Sequence, residues 1–96
     1  MNSAMDGADP HIIVRTMRGR RARITPSANT GYVRVWVEGR RSVSCGVLDV
    51  WPPDDDIVQR GLRWRYPHTN GGFSGDRIGG ASYLRIWETF GLRRRK

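Results

Sequence analysis

From Tyr32 to Val37 the chain reads Tyr-Val-Arg-Val-Trp-Val, an alternation without a fault. Side chains on a strand point to opposite faces in turn, so this period fits a strand and no helix. Val33, Val35 and Val37 take one face; Tyr32, Arg34 and Trp36 take the other. Glu38-Gly39-Arg40 supplies a hairpin tip and Ser42 to Val50 the return strand. The hydrophobic pattern suggests a register. Pairing Val35 with Val43 sets Val33 opposite Cys45 and Gly31 opposite Val47, so that aliphatics share a face. Tyr32, Arg34 and Trp36 then face Gly46, Ser44 and Ser42. This register needs a connection of three or five residues at the tip, both common lengths. It also makes Cys45 an inert core residue between Val43 and Val47.

The rest of the chain is read outward from this hairpin. Residues 1–10 form a flexible lead without periodicity. His11 to Met17 is a strand with Ile12, Val14 and Thr16 on one face, Arg18-Gly19-Arg20 a turn, and Arg21 to Thr25 the return. Residues 26–30, Pro-Ser-Ala-Asn-Thr, are turn chemistry. Trp51-Pro52-Pro53 halts strand pairing, because proline donates no amide. A short helix over 55–60 follows, with Asp54 as N-cap, Asp55 and Asp56 in the anion-favouring first turn and Gly61 at the C-terminal stop. Leu62 to Tyr66 alternates again as a fifth strand. Residues 67–82 hold five glycines and no clear period, which marks a long loop.

The final element admits two periods. As a strand, Tyr83, Arg85 and Trp87 share one face, but Glu88 then falls on the aliphatic side. As a helix, Tyr83, Ile86, Trp87 and Phe90 make one continuous stripe, with Ser82 as N-cap, Gly91 at the C-terminal stop and Leu92 in contact beyond it. The helix is preferred. The expected fold is therefore α+β: an antiparallel meander of four to five strands, a short connecting helix, and a C-terminal helix packed on the sheet. A small all-β barrel is the alternative if residues 83–89 form a strand. The domain spans 11–92, and 93–96 is a basic tail.

Charge is the strongest global clue to function. The 96 residues carry a net +8, and every basic residue except Lys96 is arginine. A GC-rich genome favours arginine codons, and the length and arginine bias suit an accessory protein of a GC-rich bacterium or its phage. Whatever its origin, the guanidinium group binds phosphate bidentately and stacks on bases. Charge is also uneven: residues 11–41 carry +7, 42–59 carry −4 and 60–96 carry +7. In a meander the first and third turns lie at one end of the sheet, which brings Arg18, Arg20 and Arg21 beside Arg40 and Arg41. Asp49 and Asp54–Asp56 go to the opposite end. The basic tip suits phosphate, although exposed tips also collect arginine to discourage edge pairing. Arg93, Arg94, Arg95 and Lys96 add nonspecific attraction.

The Tyr32–Arg34–Trp36 face has two readings. Aromatics beside small residues make a platform for stacking bases. Four tryptophans must nevertheless be accommodated, and tryptophan is mostly buried. The preferred reading makes this face core, covered by the terminal helix, with Arg34 reaching the rim or Glu88.

No family motif is recognised, and catalytic signatures are missing. Asp54–Asp56 with His68 match no metal-ligand spacing, and helix capping explains the aspartates. No Walker-type loop or serine elbow occurs. No enzyme, cofactor or metal is expected. One cysteine, no apolar run long enough to span a bilayer and no secretory leader pattern point to the cytoplasm. The expectation is a small protein binding DNA or RNA through Arg18, Arg20, Arg21, Arg40, Arg41 and the Arg93–Arg95 tail. The alternative is an inhibitor or adaptor docking on an acidic protein surface.

Overall fold

The computed structural model describes residues 11–28, 31–68 and 71–91; the 1–10 lead, Leu92 and the basic tail lie outside them. Strands β1 (Ile12–Arg15), β2 (Arg21–Pro26), β3 (Tyr32–Glu38), β4 (Val43–Asp49), β5 (Arg65–Tyr66) and β6 (Gly72–Phe73) follow in chain order with helices α1 (Asp55–Arg60) and α2 (Gly80–Ile86). All six strands lie in one sheet in the order β1-β2-β3-β4-β5-β6, and each neighbouring pair is antiparallel. The fold is the expected α+β meander, an open sheet rather than the alternative barrel.

One face of the sheet carries the core. Val14, Ala22, Ile24, Val33, Val35, Val37, Leu48 and Val50 are buried there against Ile57 of α1 and Tyr83, Ile86 and Phe90 of the terminal helical segment. The predicted stripe of that segment is therefore correct, with Trp87 partly buried against the same cluster. The Tyr83 hydroxyl donates to the Asp49 carbonyl at 2.9 Å and accepts the Trp51 amide at 3.1 Å, tying α2 to the end of β4. Arg85 points away from the stripe and donates to the Ile13 carbonyl at 3.2 Å, a contact on the outer strand β1.

The expected β3–β4 register is overturned. Val35 faces Gly46, Val33 faces Leu48, Trp36 faces Cys45 and Glu38 faces Val43, which leaves a four-residue connection over 39–42. The shift is odd, so every β4 side chain changes face relative to the expected pairing. The cause is Trp64, which is 0% exposed. A Cβ on Gly46 would stand 2.5 Å from Trp64 Cδ1 and 2.8 Å from the Arg65 carbonyl oxygen, so only glycine leaves room for the indole. Leu48 and Val50 then enter the core, while Val43 is 56% exposed. Cys45 joins the Tyr32–Trp36 face and is not a core residue.

Three further expectations are corrected. The glycine-rich 67–82 stretch is not one long loop but holds a two-residue return strand and a bridge: Phe73 pairs with Arg65, the Ser74 amide donates to the Trp64 carbonyl, and Ile78 bridges Leu62. Helix α2 starts two residues before Ser82, with Gly79 as N-cap and no side-chain cap bond. A Cβ on Gly80 would stand 2.0 Å from the Val58 carbonyl oxygen, so the docking of α1 fixes this start. Gly91 does not adopt a left-handed stop. It closes a wider π-type turn, Trp87–Gly91, in which a Cβ would meet the Trp87 ring at 2.0 Å. In contrast, α1 matches expectation: the Asp54 carboxylate accepts the Ile57 amide at 2.9 Å, and Gly61 ends the helix at φ 75°.

Candidate nucleic-acid interface

Both helices pack on the aliphatic side, so among the described residues the opposite face of the sheet has no helical layer. This reverses the reading of Tyr32, Arg34 and Trp36 as covered core; each is half-buried on the open face. Glu88 is exposed on the segment that packs against the other face. Strand parity assigns the remaining residues of the open face. Ile13 and Arg15 come from β1, Arg21, Arg23 and Thr25 from β2, Glu38 from β3, Val43, Cys45, Val47 and Asp49 from β4, Arg65 from β5 and Phe73 from β6. Val47 shows how this face is built. It is only 6% exposed yet stands outside the core cluster, between Arg34 and Arg65 in the ladder. Long arginine stems shield such a residue while keeping their charge in water.

The aromatics on this face are interleaved with cations. The Arg23 guanidinium lies 5.4 Å from the Trp36 ring centroid, and Arg63 lies 5.4 Å from that of Phe73. The Trp36 indole donates to the Thr25 hydroxyl at 2.9 Å, which lays the ring across β2. Phe73 is 52% exposed. The two carboxylates of the face already have cationic partners. Asp49 accepts Arg65 through both oxygens at 2.9 Å, and Glu38 stands 3.5 Å from Arg21. The Asp49 hydrogen bonds raise the Arg65 guanidinium above its ordinary value, against some opposing desolvation. Arg15, Arg23, Arg34 and Arg63 have no carboxylate partner among the described residues. The face is thus cationic by excess.

The arginine tip is smaller than expected. Meander order places the 16–20 and 39–42 connections at one end, where Arg18, Arg40 and Arg41 are exposed. Arg20 turns toward the core side. Its Nε donates to Asp76 Oδ2 at 3.2 Å, and its guanidinium lies 5.9 Å from the Trp64 ring centroid. Arg21 belongs to the open face and pairs with Glu38. Arg93, Arg94 and Arg95 lie outside the described residues.

Asp76 was not foreseen. Its carboxylate is 1% exposed and accepts the Arg77 amide at 2.7 Å and the Arg18 amide at 3.1 Å in addition to Arg20. Burial pushes its carboxyl up, but hydrogen bonds from Thr16, the two amides and Arg20 outweigh this and hold it below the ordinary aspartate value. At the acidic end, Asp54 caps α1 and Asp56 pairs with Arg60 at 3.0 Å.

The open-face arginines on β2 were legible in the alternation of Arg21, Arg23 and Thr25. Arg63 and Arg65 were legible in the same way, in the alternation of Leu62 to Tyr66, whereas Phe73 was not, because the 67–82 stretch gives no strand period. Comparison with protein-family models, curated proteins and solved structures gives no match. Among the described residues no helix is long and apolar enough to cross a membrane.

Proposed function

We propose that the protein binds nucleic acid across the open face of the sheet, with the exposed arginines of the 16–20 and 39–42 turns extending the phosphate contacts. The observation that carries this reading is that, among the described residues, neither helix covers this face, Glu38 and Asp49 each stand against an arginine, and further arginines remain beside Tyr32, Trp36 and Phe73. Guanidinium groups supply sequence-independent attraction to phosphate. Half-exposed aromatics supply stacking surfaces that accept any base. The basic tail extends the same attraction.

The test is a fluorescence anisotropy titration of labelled strands against salt. Binding should weaken linearly in log–log form, by about −0.7 per phosphate contact on single strands and −0.9 on duplex. An affinity indifferent to salt, or no binding at low ionic strength, overturns the reading. In that case an acidic protein surface becomes the partner to pursue, and nuclease-resistant capture of one protein would identify it.

A further inference from the structure

We infer that the open face takes a single strand and seats a guanine base in the depression beside Trp36, an inference that rests on the nucleic-acid reading above. The depression has a volume of about 200 Å³ and is lined by Ile13, Arg21, Arg23, Trp36, Glu38 and Val43. Sites for drug-sized ligands measure about 300–1,000 Å³, so this one suits a single ring system. Its residues come from four neighbouring strands, so the backbone beneath it is held by the sheet's own ladder.

The surface offers both a plane and an edge. Trp36 is anchored through its indole to Thr25, and Arg23 lies over the ring. Aromatic rings and guanidinium planes are the two surfaces on which unpaired bases stack. Glu38 and Arg21 supply the edge. An ionised carboxylate accepts two hydrogen bonds, and a guanidinium donates several. Guanine presents two adjacent donors, N1–H and the N2 amino group, next to the O6 acceptor. The donors meet Glu38 and O6 meets Arg21. Adenine and cytosine each place a ring lone pair beside their amino group, and uracil has one donor between two acceptors. Each would set an acceptor against the carboxylate.

Glu38 is held by its arginine more loosely than Asp49 is. Asp49 is closed by two hydrogen bonds of 2.9 Å to Arg65. The Glu38–Arg21 contact is 3.5 Å, with both side chains about half exposed, longer than an ordinary hydrogen bond. The guanine edge in question is hidden in a duplex, so the same geometry selects an unpaired strand.

The experiment compares short thymidine strands carrying one central guanosine, inosine, adenosine or cytidine, and the guanosine strand in duplex form, using the full chain. Inosine keeps N1–H and O6 but lacks the amino group. The guanosine strand should bind about tenfold more tightly than the inosine strand, within the range of one bidentate base contact. Glu38→Gln should remove most of that preference while leaving the salt slope in place, with circular dichroism confirming the fold. Equal, salt-dependent binding of all strands, or a preference for duplex, overturns this inference and leaves nucleic-acid binding standing. No binding of any strand at low salt overturns both.

Discussion

Asp76 joins elements far apart in sequence through one buried carboxylate. It receives the backbone of Arg18 and Arg77 and the side chain of Arg20, while its own carbonyl accepts the Ser74 hydroxyl at 2.7 Å. The β1–β2 turn is thereby fastened to the segment beyond β6. In Asp76→Asn one oxygen becomes an amide that faces donors, so buried donors lose their acceptor. The expected cost is about 2–3 kcal/mol, the worth of charge-assisted hydrogen bonds, read as a fall of about 10 °C or more in melting temperature. Its pH dependence follows from the lowered carboxyl. A depressed aspartate stabilises fully above its unfolded value of about 3.9 and loses that contribution as pH falls through the folded value. The stability gap between the native chain and Asp76→Asn should be widest near neutrality and narrow below pH about 4. Urea unfolding at several pH values measures it, and a constant gap would remove the carboxylate from this role.

At the scale of elements, β4 shows how a packing demand sets a register. Val43, Cys45 and Val47 offered an aliphatic face as regular as that of β3. Gly46, Leu48 and Val50 won because Trp64 needs space that only a glycine provides. The indole also has its polar end satisfied, donating to the Tyr66 hydroxyl at 2.9 Å. Gly46→Ala tests this directly. In an ordinary strand that change is mildly favourable, because glycine loses the most conformational entropy on folding. Here the added carbon meets a fully buried ring and a backbone carbonyl. The expected result is destabilisation of about 1–3 kcal/mol, as for other overpacked cores, with a change in tryptophan fluorescence. A stable variant with unaltered emission would refute the account. Helix α1 needed no such arbitration, since Asp54 and Gly61 act on neighbouring backbone.

For the whole molecule, the sheet divides the chain chemically: an aliphatic side roofed by helices, and a cationic side with interleaved aromatics. The face and the turn arginines should contribute differently to binding. Arg40→Gln with Arg41→Gln should weaken every strand alike and make the single-strand salt slope shallower by about 1.4 for two lost contacts. Trp36→Leu should leave the slope unchanged but weaken single strands by about 1–3 kcal/mol, the worth of one stacked base. An unchanged slope in the first variant clears those arginines. An unchanged affinity in the second removes the ring from the interface.

The sequence by itself determined what depends on near neighbours. The alternation of β3, the capping of α1 and the Tyr83–Ile86–Phe90 stripe each follow from local backbone preference or a short period. It also determined the excess of arginine. Tertiary structure decided which face of the sheet the helices cover, which parity β4 adopts and which arginines are spent internally. Those outcomes depend on where Trp64 and Asp76 arrive from distant parts of the chain. Periodicity groups residues by face, but only packing tells one face from the other. The Tyr32–Arg34–Trp36 ladder, expected in the core, therefore lies on the open side.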